Sequence, residues 1–568
     1  MRVWPFLLIL MLVPVAFGQQ EAADLFASET VGVDLTVSSA LTVKPKQSGA
    51  MSLDYVQADL FFYPKEDRAQ RVLSLVTDPQ AEQREGALRF FWEQPQQDVL
   101  QYEARSAVEV RNEFARVTRK IPFPLTTVPP EMRQYLEPSE HIDSTNPGIV
   151  NLANKLAQGK DDLFVVVSEL AIWTKSNINY NLSTLTAEVS QKASWVLENK
   201  QGVCDELTSL FIAMLRALGV PARFVTGVSY TASPLFPKRW GAHGWAEVYF
   251  PDVGWVPFDP TFGEYGWVDP GHVKMMTSLD PTEPSTRFEW RGTNADLKFK
   301  EPDIDASITA VGKRLPAVVK LGIKPLYDET GFGSYNLAQA TVENLQSYYL
   351  TTELRLARVA ELEVLEPYDL PVILKPREKK TVFWRVRVLP GLQEQFVYTL
   401  PLGVFTVQND SALASFTART QGGQHAKVEV TRAMNTLAEE DEQIVSHTLD
   451  ISCTPDTTML MPDTAATISC SLHNLGTTPL KAVRACLEDT QCQALDIGIG
   501  QTRSLSFTQQ FTVPGATTVF VRASNAELSK SMPLAFTMND LPAINITLEP
   551  GHVTSYAVRG ILEDIAQV

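Results

Sequence analysis

The sequence of 568 residues contains few basic side chains relative to acidic ones. Its 49 Lys and Arg residues against 66 Asp and Glu residues give a formal net charge of −17. Nucleic acids are bound through basic side chains that neutralise phosphates, and acidic membrane surfaces attract the same kind of charge. The composition therefore favours neither nucleic acid nor an acidic membrane surface as a partner.

Long apolar segments are also scarce. One apolar run, at residues 6–17, follows Arg2 and precedes Gly18 and a polar pair. A transmembrane helix needs about 20 apolar residues, so this shorter run predicts a signal peptide over residues 1–18. No later segment approaches the required length. We therefore expect a secreted or cell-surface protein with no integral membrane span after signal-peptide removal.

Cysteine is rare, and its five occurrences are unevenly distributed. Cys453, Cys470, Cys486 and Cys492 lie close together near the C-terminus, whereas Cys204 is isolated. Four clustered cysteines in an exported chain predict two disulfides, whose connectivity the spacing leaves open. A zinc site is the alternative, but no pair has the Cys-x-x-Cys spacing that is common in such sites. Cys204 is expected to be a free thiol.

The order of β-rich and helical segments predicts several domains, because one domain typically has roughly 100–200 residues. Short β runs between Pro, Gly and charged residues predict sandwiches on both sides of a segment in which helical spacing is followed by strands. One helix is expected near residues 338–350. The predicted divisions are a sandwich at 28–120, an α+β domain at 121–285, a connecting segment at 286–349, and sandwiches at 350–435 and 447–545.

Cys204 lies at the predicted start of an amphipathic helix. Within residues 207–218, apolar residues recur at the three- and four-residue intervals of one helical face, and Gly219 predicts the end of the helix. The free N–H groups and the positive dipole end at a helix N-terminus favour a thiolate. The carboxylates of Asp205 and Glu206 oppose it, so a nearby imidazolium would have to outweigh them.

A histidine and an aspartate lie on a predicted β-hairpin. His243 precedes and Asp259 follows a Pro-Asp-x-Gly turn at residues 251–254. With the hairpin centred near residue 251, the two side chains are expected opposite each other, within hydrogen-bonding reach. Nucleophilic acyl transfer by a cysteine uses three groups: a thiol, an imidazole that accepts the thiol proton, and a carboxylate that orients the imidazole.

At these residues the sequence resembles the transglutaminase-like superfamily. Its motifs are a Gly-x-Cys at a helix start, a His-x-Trp-x-Glu strand and an Asp-Pro-Thr strand end, and residues 202–204, 243–247 and 259–261 match them in order. The resemblance implies an α+β papain-like core, with Cys204 as nucleophile, His243 as base and Asp259 as orienting carboxylate. Gly244 departs from the pattern, in which Ala is commoner, without changing the expected chemistry.

The flanking domains are expected to be all-β and immunoglobulin-like. Residues 471–476 resemble the adhesion-type and immunoglobulin-like modules of secreted prokaryotic proteins. This similarity covers one domain. Together with the core, it predicts a multidomain chain in which immunoglobulin-like sandwiches flank a transglutaminase-like domain.

Further polar residues are assigned more modest roles. The backbone N–H of Cys204 is the expected oxyanion donor, and Tyr180 is a candidate for the second. His141 and His272 have no ligand-like neighbour in the sequence and are predicted to be structural. The acidic residues of 301–305 lack the spacing of calcium loops and are expected to form a solvated turn. We therefore expect neither a metal nor another cofactor.

Three functions are compatible with this sequence. A protease or amidase would form a Cys204 thioester with a protein or peptide and release it with water. A protein-glutamine acyltransferase would release the same thioester to an amine and crosslink proteins. A non-catalytic cell-surface binding protein would keep the α+β domain as a scaffold. The lack of calcium-loop spacing favours hydrolysis, since the resemblance associates calcium-dependent crosslinking mainly with animal members. The triad itself counts against a scaffold.

Overall fold

A computed structural model of the chain describes residues 25–184, 190–233, 235–408, 410–438, 445–461, 464–511 and 514–539. The predicted signal peptide at 1–18 lies outside these residues. The chain divides into two compact units. The first contains the described residues up to Asp450 together with His473–Lys481 and Asp496–Thr502, and the second contains the rest. Among the described residues, no helix has both the length and the apolar character needed to cross a membrane.

The N-terminal part of the chain is β-rich, and its strands alternate between buried and exposed residues. This period of two is what one apolar sheet face requires. In the first strand the buried positions include Val31, Val33, Leu35 and Val37. The strands are β1 (Thr30–Pro45), β2 (Ser52–Leu60), β3 (Gln70–Asp78), β4 (Glu82–Arg84), β5 (Ala87–Glu93) and β6 (Val99–Arg111).

The following segment has helices first and strands afterwards, as the change of period predicts. Its α-helices are α1 (Pro147–Ala157), α2 (Leu163–Asn177), α3 (Ala193–Asn199) and α4 (Cys204–Ala217), with short 3-10 helices at Pro130–Leu136 and Leu182–Thr184. Its strands are β7 (Asn179–Tyr180), β8 (Gln201–Gly202), β9 (Ala222–Tyr230), β10 (Trp240–Phe250), β11 (Gly254–Asp259), β12 (Glu264–Tyr265) and β13 (His272–Ser278). Helix α4 is almost wholly buried and packs against the other three helices and against β9 and β10.

The segment 286–349, expected to be a connection, consists largely of strands, so that expectation is wrong. Three strands complete the first sandwich: β14 (Thr286–Thr293) pairs with β2, and β15 (Ala295–Phe299) and β16 (Asp303–Val311) pair with β1. The two sheets are then β15-β1-β6-β3, with β16 also on β1, and β14-β2-β5-β4. The first β domain is therefore closed by chain that follows the α+β domain.

A second β domain begins within the same segment. Its elements are β17 (Val319–Pro325), β18 (Glu329–Thr330), β19 (Tyr335–Asn344), β20 (Leu350–Leu356), β21 (Leu362–Val364), β22 (Asp369–Leu374), β23 (Lys379–Val388), β24 (Tyr398–Phe405), β25 (Ser411–Ala418) and α5 (Lys427–Leu437). The helix expected near 338–350 is absent there, because β19 is hydrogen-bonded between β17 and β23. Pairing on both sides overrides its weak local helical preference.

One sheet extends from the α+β domain into the second β domain. Its order is β13-β9-β10-β11-β12-β20-β24-β25-β18, with β22 paired to β20. The junction is short: Tyr265 of β12 pairs with Thr351 of β20. This sheet places β10, β11 and β13 as near neighbours, so that side chains distant in sequence converge.

The C-terminal segment is also β-rich. Its strands are β26 (Leu449–Pro455), β27 (Met459–Leu460), β28 (Ala465–Asn474), β29 (Leu480–Leu487), β30 (Gln491–Ile497), β31 (Thr502–Gln510), β32 (Gly515–Ser524) and β33 (Ser529–Met538). Two disulfides form here, Cys453–Cys470 and Cys486–Cys492. The prediction of two disulfides and one free thiol is confirmed, and the connectivity left open by the sequence is now defined.

Candidate active site

Cys204 is the first residue of α4, at the helix N-terminus. The turn before it is tight, because a Cβ on Gly202 would lie 2.8 Å from the Cβ of Glu206. The Glu206 carboxylate accepts a hydrogen bond from the N–H of Val203 at 2.7 Å, which satisfies a donor at the start of the helix. Gly219 has a φ of +72° just beyond the other end, as the sequence predicts for a helix stop.

The immediate neighbour of the thiol is a carboxylate. The Sγ atom of Cys204 donates a hydrogen bond to Oδ1 of Asp205 at 3.5 Å. Burial raises the pKa of Cys204 well above its usual value, and the Asp205 charge raises it further, whereas the backbone N–H of Gly244 lowers it. Burial and the Asp205 charge therefore favour the protonated thiol over the thiolate.

Gly244 makes room for that carboxylate. A Cβ at position 244 would lie 2.7 Å from Oδ1 of Asp205 and 2.5 Å from Cζ of Phe224. This crowding explains why glycine, and not the alanine that is commoner in the superfamily pattern, stands at position 244. The methyl group of an alanine would displace Asp205 or Phe224.

The predicted hairpin of β10 and β11 is present, but its register differs from the expected one. Phe250 pairs with Gly254 and Ala246 with Phe258, so the loop is centred on residue 252. The centre lies one residue beyond the expected position near 251, because the three-residue loop 251–253 closes one residue later. Continuing the register places Asp259 diagonal to His243, a distance that long side chains still span.

His243 and Asp259 form a short hydrogen bond inside the protein. Nε2 of His243 lies 2.6 Å from Oδ2 of Asp259, and Asp259 is fully buried. The other oxygen, Oδ1, accepts hydrogen bonds from the N–H groups of Thr261 at 2.7 Å and Phe262 at 3.1 Å. Burial alone would raise the pKa of Asp259, but the charge of His243 and the hydrogen bonds hold it well below its usual range. The carboxylate is therefore ionised and fixed in place.

The His243 ring is held by aromatic neighbours. It stacks on Trp245 with a centroid distance of 6.0 Å and meets Phe262 edge-on at 5.0 Å. Because Nε2 is used by Asp259, Nδ1 is the ring nitrogen that is available for another partner. A histidine bonded in this way has one defined tautomer when neutral, with Nδ1 as the proton acceptor.

A second histidine, predicted to be merely structural, also contacts Asp259. His272 on β13 places Nε2 3.2 Å from Oδ2 of Asp259, and its Nδ1 faces Asp269 at 3.4 Å and Glu264 at 3.9 Å. All four residues are buried. The expectation that His272 lacks a polar partner is therefore wrong. The acidic residues that precede it in the sequence were the available signal, but its proximity to Asp259 depends on the pairing of β13 with β9.

The same cluster contains the potential metal ligands found among the described residues. Two sets of ligand atoms lie within 4.8 Å of one another, His243 with Asp259 and His272, and Glu264 with Asp269 and His272. In the first set, both histidines already contact Oδ2 of Asp259 at hydrogen-bonding distance.

Cys204 and His243 open onto one cleft of about 470 Å³. Tyr180 also lines it, and the pairing of Tyr180 with Gly202 places this side chain two residues from the thiol in register. Burial raises the pKa of Tyr180, and the nearby charges of Asp205 and Asp259 add to the shift, so its hydroxyl stays protonated. The opposite wall is mostly apolar, with Leu235, Phe236, Pro237 and Trp240 among its residues.

A protein-family model described as the transglutaminase-like superfamily matches residues 150–260. Residues 150–260 form a transglutaminase-like domain. The match contains α2, α4 and the β10–β11 hairpin. The family resemblance of the three motifs is thereby confirmed, as is a fold in which this core is accompanied by β-rich domains.

Two curated proteins are similar to the transglutaminase-like domain. The uncharacterized protein YebA of Bacillus subtilis is 33% identical over 134 residues, which cover 21% of this chain and 18% of that protein. A protein-glutamine gamma-glutamyltransferase of Pseudomonas aeruginosa is 26% identical over 123 residues, which cover 21% of this chain and 18% of that protein. The similar segment thus spans less than a fifth of either relative.

Two solved structures are also similar. A Cytophaga hutchinsonii protein, provisionally described as a cysteine protease, has a TM-score of 0.37 and 17% identity, covering 50% of this chain and 92% of that one. The transglutaminase of red sea bream has a TM-score of 0.20 and 10% identity, and the match covers 86% of this chain and 92% of that one.

The remaining sequence candidates lie outside the cleft lining of the transglutaminase-like domain. His141 is buried and its Nδ1 lies 3.0 Å from Oδ1 of Asp280. Asp303 and Asp305 are exposed, as expected, but they belong to strand β16 rather than to a turn. That strand pairs with β1, which explains why the short acidic cluster is extended.

Proposed function

We propose that this protein is a cysteine-dependent hydrolase that cleaves amide bonds of proteins or peptides through a Cys204 thioester. The observation that carries the proposal is the shared cleft of Cys204 and His243, with His243 held at 2.6 Å by the buried Asp259. Cys204 is the nucleophile, His243 the base and Asp259 the orienting carboxylate. The match of this segment to the transglutaminase-like superfamily supports the assignment.

The first half-reaction begins with a protonated thiol. Nδ1 of His243 accepts the proton from Cys204 as Sγ attacks the amide carbonyl carbon, and a tetrahedral intermediate forms. The imidazolium gives this proton to the amine nitrogen, the C–N bond breaks and a thioester is left on Cys204. The ionised Asp259 stabilises the imidazolium during these steps.

Two groups are suited to stabilising the oxyanion. The N–H of Cys204 is the first, because it lies at the free N-terminus of α4. The hydroxyl of Tyr180 is the second, since Tyr180 lines the cleft and its pKa is raised above the usual value, chiefly by burial. In the second half-reaction water, deprotonated by His243, attacks the thioester and restores the thiol.

The cleft walls favour an extended peptide with apolar side chains. Leu235 is 66% exposed although it is a large apolar residue, and it lines the cleft with Phe236, Pro237 and Trp240. Such a wall would be covered by apolar side chains of a bound peptide. Lys238 also lines the cleft, and its Nζ lies 3.8 Å from Oδ1 of Asp303. A protein or peptide is thus the proposed substrate class.

An acyltransferase is the second candidate, because it shares the first half-reaction. The Pseudomonas aeruginosa relative is named a protein-glutamine gamma-glutamyltransferase. In that case the amine of a second protein, rather than water, would attack the thioester. Export to the cell surface or medium is part of either proposal, since two disulfides are typical of oxidising compartments.

Mass spectrometry of a glutamine-containing protein incubated with the purified protein tests this function. Incubations with and without an added primary amine separate the two candidates: peptide cleavage or conversion of Gln to Glu indicates a hydrolase, and amine adducts indicate an acyltransferase. Cys204→Ala is the control and should abolish either product. Products that persist in Cys204→Ala or His243→Ala would contradict the mechanism, and a binding protein without catalysis would give none.

A further inference from the structure

His272 contacts three carboxyl groups at the floor of the candidate site. Its Nε2 lies 3.2 Å from Oδ2 of Asp259, the same oxygen that bonds to His243 at 2.6 Å. Its Nδ1 faces Oδ2 of Asp269 at 3.4 Å and Oε2 of Glu264 at 3.9 Å. The side chain of His272 has no solvent exposure. Two histidines therefore share one oxygen of the catalytic carboxylate.

The hydrogen-bond geometry favours a proton on Nε2 of His272. An ionised carboxylate only accepts hydrogen bonds, so the contact with Oδ2 of Asp259 requires Nε2 to be the donor. Nδ1 is buried and has no hydrogen-bond partner among the described residues, although Asp269 lies 3.4 Å away. The contact with Asp259 is therefore the hydrogen bond that this side chain makes.

We propose that His272 holds Asp259 in position for His243 by donating a hydrogen bond from Nε2 to Oδ2 of Asp259. This inference rests on the proposed function, which gives Asp259 its role. Oδ1 of Asp259 is fixed by the N–H groups of Thr261 and Phe262, and His272 contacts Oδ2 from strand β13. His272 is a positioning residue, because it acts on the thiol only through Asp259 and His243.

The other charged groups around His272 are already paired. A cavity of about 60 Å³ lies on another side of the ring. Each charged side chain that lines it has an opposite charge beside it. These pairs are Lys274 with Asp67 and with Glu247, both at 2.5 Å, Arg68 with Glu113 at 3.0 Å, and Arg111 with Glu109 at 3.2 Å. The carboxyl groups of Asp259, Asp269 and Glu264 and the ring of His243 are thus the groups that act on His272.

Nuclear magnetic resonance of protein labelled with ¹⁵N-histidine tests the hydrogen bond. The chain has seven histidines, and the signals lost in His272→Gln identify His272. We expect Nε2 of His272 to carry a proton, because donation to Asp259 requires it. A His272 whose Nε2 carries no proton overturns the proposal. If His272→Gln does not fold, the wild-type spectrum still decides, because a spectrum in which no two histidines have a protonated Nε2 overturns it as well.

Alkylation of Cys204 by iodoacetamide tests the positioning role without requiring a substrate. His272→Gln should slow alkylation at neutral pH by about tenfold, or about 1.4 kcal/mol, for the loss of one charged hydrogen bond. The profile of rate against pH should change as well. His141→Gln is the matched control, because His141 is also a buried histidine bonded to an aspartate, Asp280, but does not line the cleft.

The outcomes separate this inference from the proposed function. The inference is supported if His272→Gln and His243→Ala both slow alkylation while His141→Gln, at a similar melting temperature to His272→Gln, does not. It is overturned if His243→Ala slows alkylation and His272→Gln matches the wild type. If His243→Ala has no effect, the proposed function itself fails, and the role given to His272 fails with it.

Discussion

Replacing Asp205 with asparagine should make Cys204 more reactive at neutral pH. The carboxylate of Asp205 lies 3.5 Å from Sγ and, after burial, is the main cause of the raised pKa of Cys204. Two unit charges at such a distance interact by about 1 kcal/mol in water and by about 5 kcal/mol at an effective dielectric constant of about 20. One pKa unit corresponds to about 1.4 kcal/mol, so the midpoint of thiolate formation should fall by about 1 to 3 units.

The rate of alkylation as a function of pH measures this midpoint, because the thiolate is the reactive species. All five cysteines lie in the part of the chain that the structure describes, and four of them are in disulfides. A single alkyl adduct on the native protein therefore reports Cys204 alone.

Glu206→Gln is the matched control for Asp205→Asn. Glu206 lies in the same helical turn, but its carboxylate bonds the N–H groups of Val203 and Gln191 rather than the thiol. Glutamine keeps an acceptor oxygen and removes the charge, so the midpoint should stay near that of the wild type. An unchanged midpoint in Asp205→Asn would refute the reasoning. Equal shifts in both variants would also refute it, since they would assign the effect to the helix N-terminus as a whole.

Three further changes test other parts of the structure. Gly244→Ala places a Cβ 2.5 Å from Cζ of Phe224 and should destabilise the protein by about 1–3 kcal/mol in denaturant unfolding; wild-type stability would contradict the packing. The pKa of Asp259 is lower in the folded protein than in the unfolded chain, so ionised Asp259 stabilises the fold above about pH 4, and this stabilisation is lost as the pH falls further. The melting temperature of Asp259→Asn should therefore depend less on pH below about 4 than that of the wild type. An identical pH dependence would refute this reasoning. Replacing both Cys453 and Cys470 with serine removes a disulfide with a sequence separation of 17 residues and should lower the free energy of unfolding of the second unit by about 3 kcal/mol. The rate of Cys204 alkylation should not change, because Cys204 belongs to the first unit. A changed alkylation rate would contradict this expectation.

The parts of the site that local patterns determine were predictable from the sequence. The start of α4 at Cys204 follows from helical spacing and the flanking glycines, and the hairpin follows from its turn residues. The hairpin centre lies one residue later than expected, and this moves the position opposite His243 by two residues, from 259 to 261. The contact with Asp259 survives because diagonal neighbours share a sheet face.

Features that depend on distant pairing were not predictable. Strands β14 to β16 complete two sheets whose other members precede the α+β domain, and nothing local in residues 286–311 indicates those partners. The role of His272 was missed for the same reason, since β13 reaches the site through its pairing with β9. The helix expected near 338–350 was wrong because β19 is stabilised by strands on both sides.

Two carboxylates act in opposite directions on the proposed reaction. Asp205 keeps the proton on sulfur, whereas Asp259 stabilises the imidazolium that forms when His243 removes it. A protonated thiol resists oxidation, because susceptibility to oxidation follows thiolate character. A thiolate of lower pKa is also a weaker nucleophile. Asp205→Asn should therefore increase alkylation and oxidation of Cys204 more than it increases the cleavage of a bound peptide, and an equal gain in all three rates would show that Asp205 merely slows the enzyme.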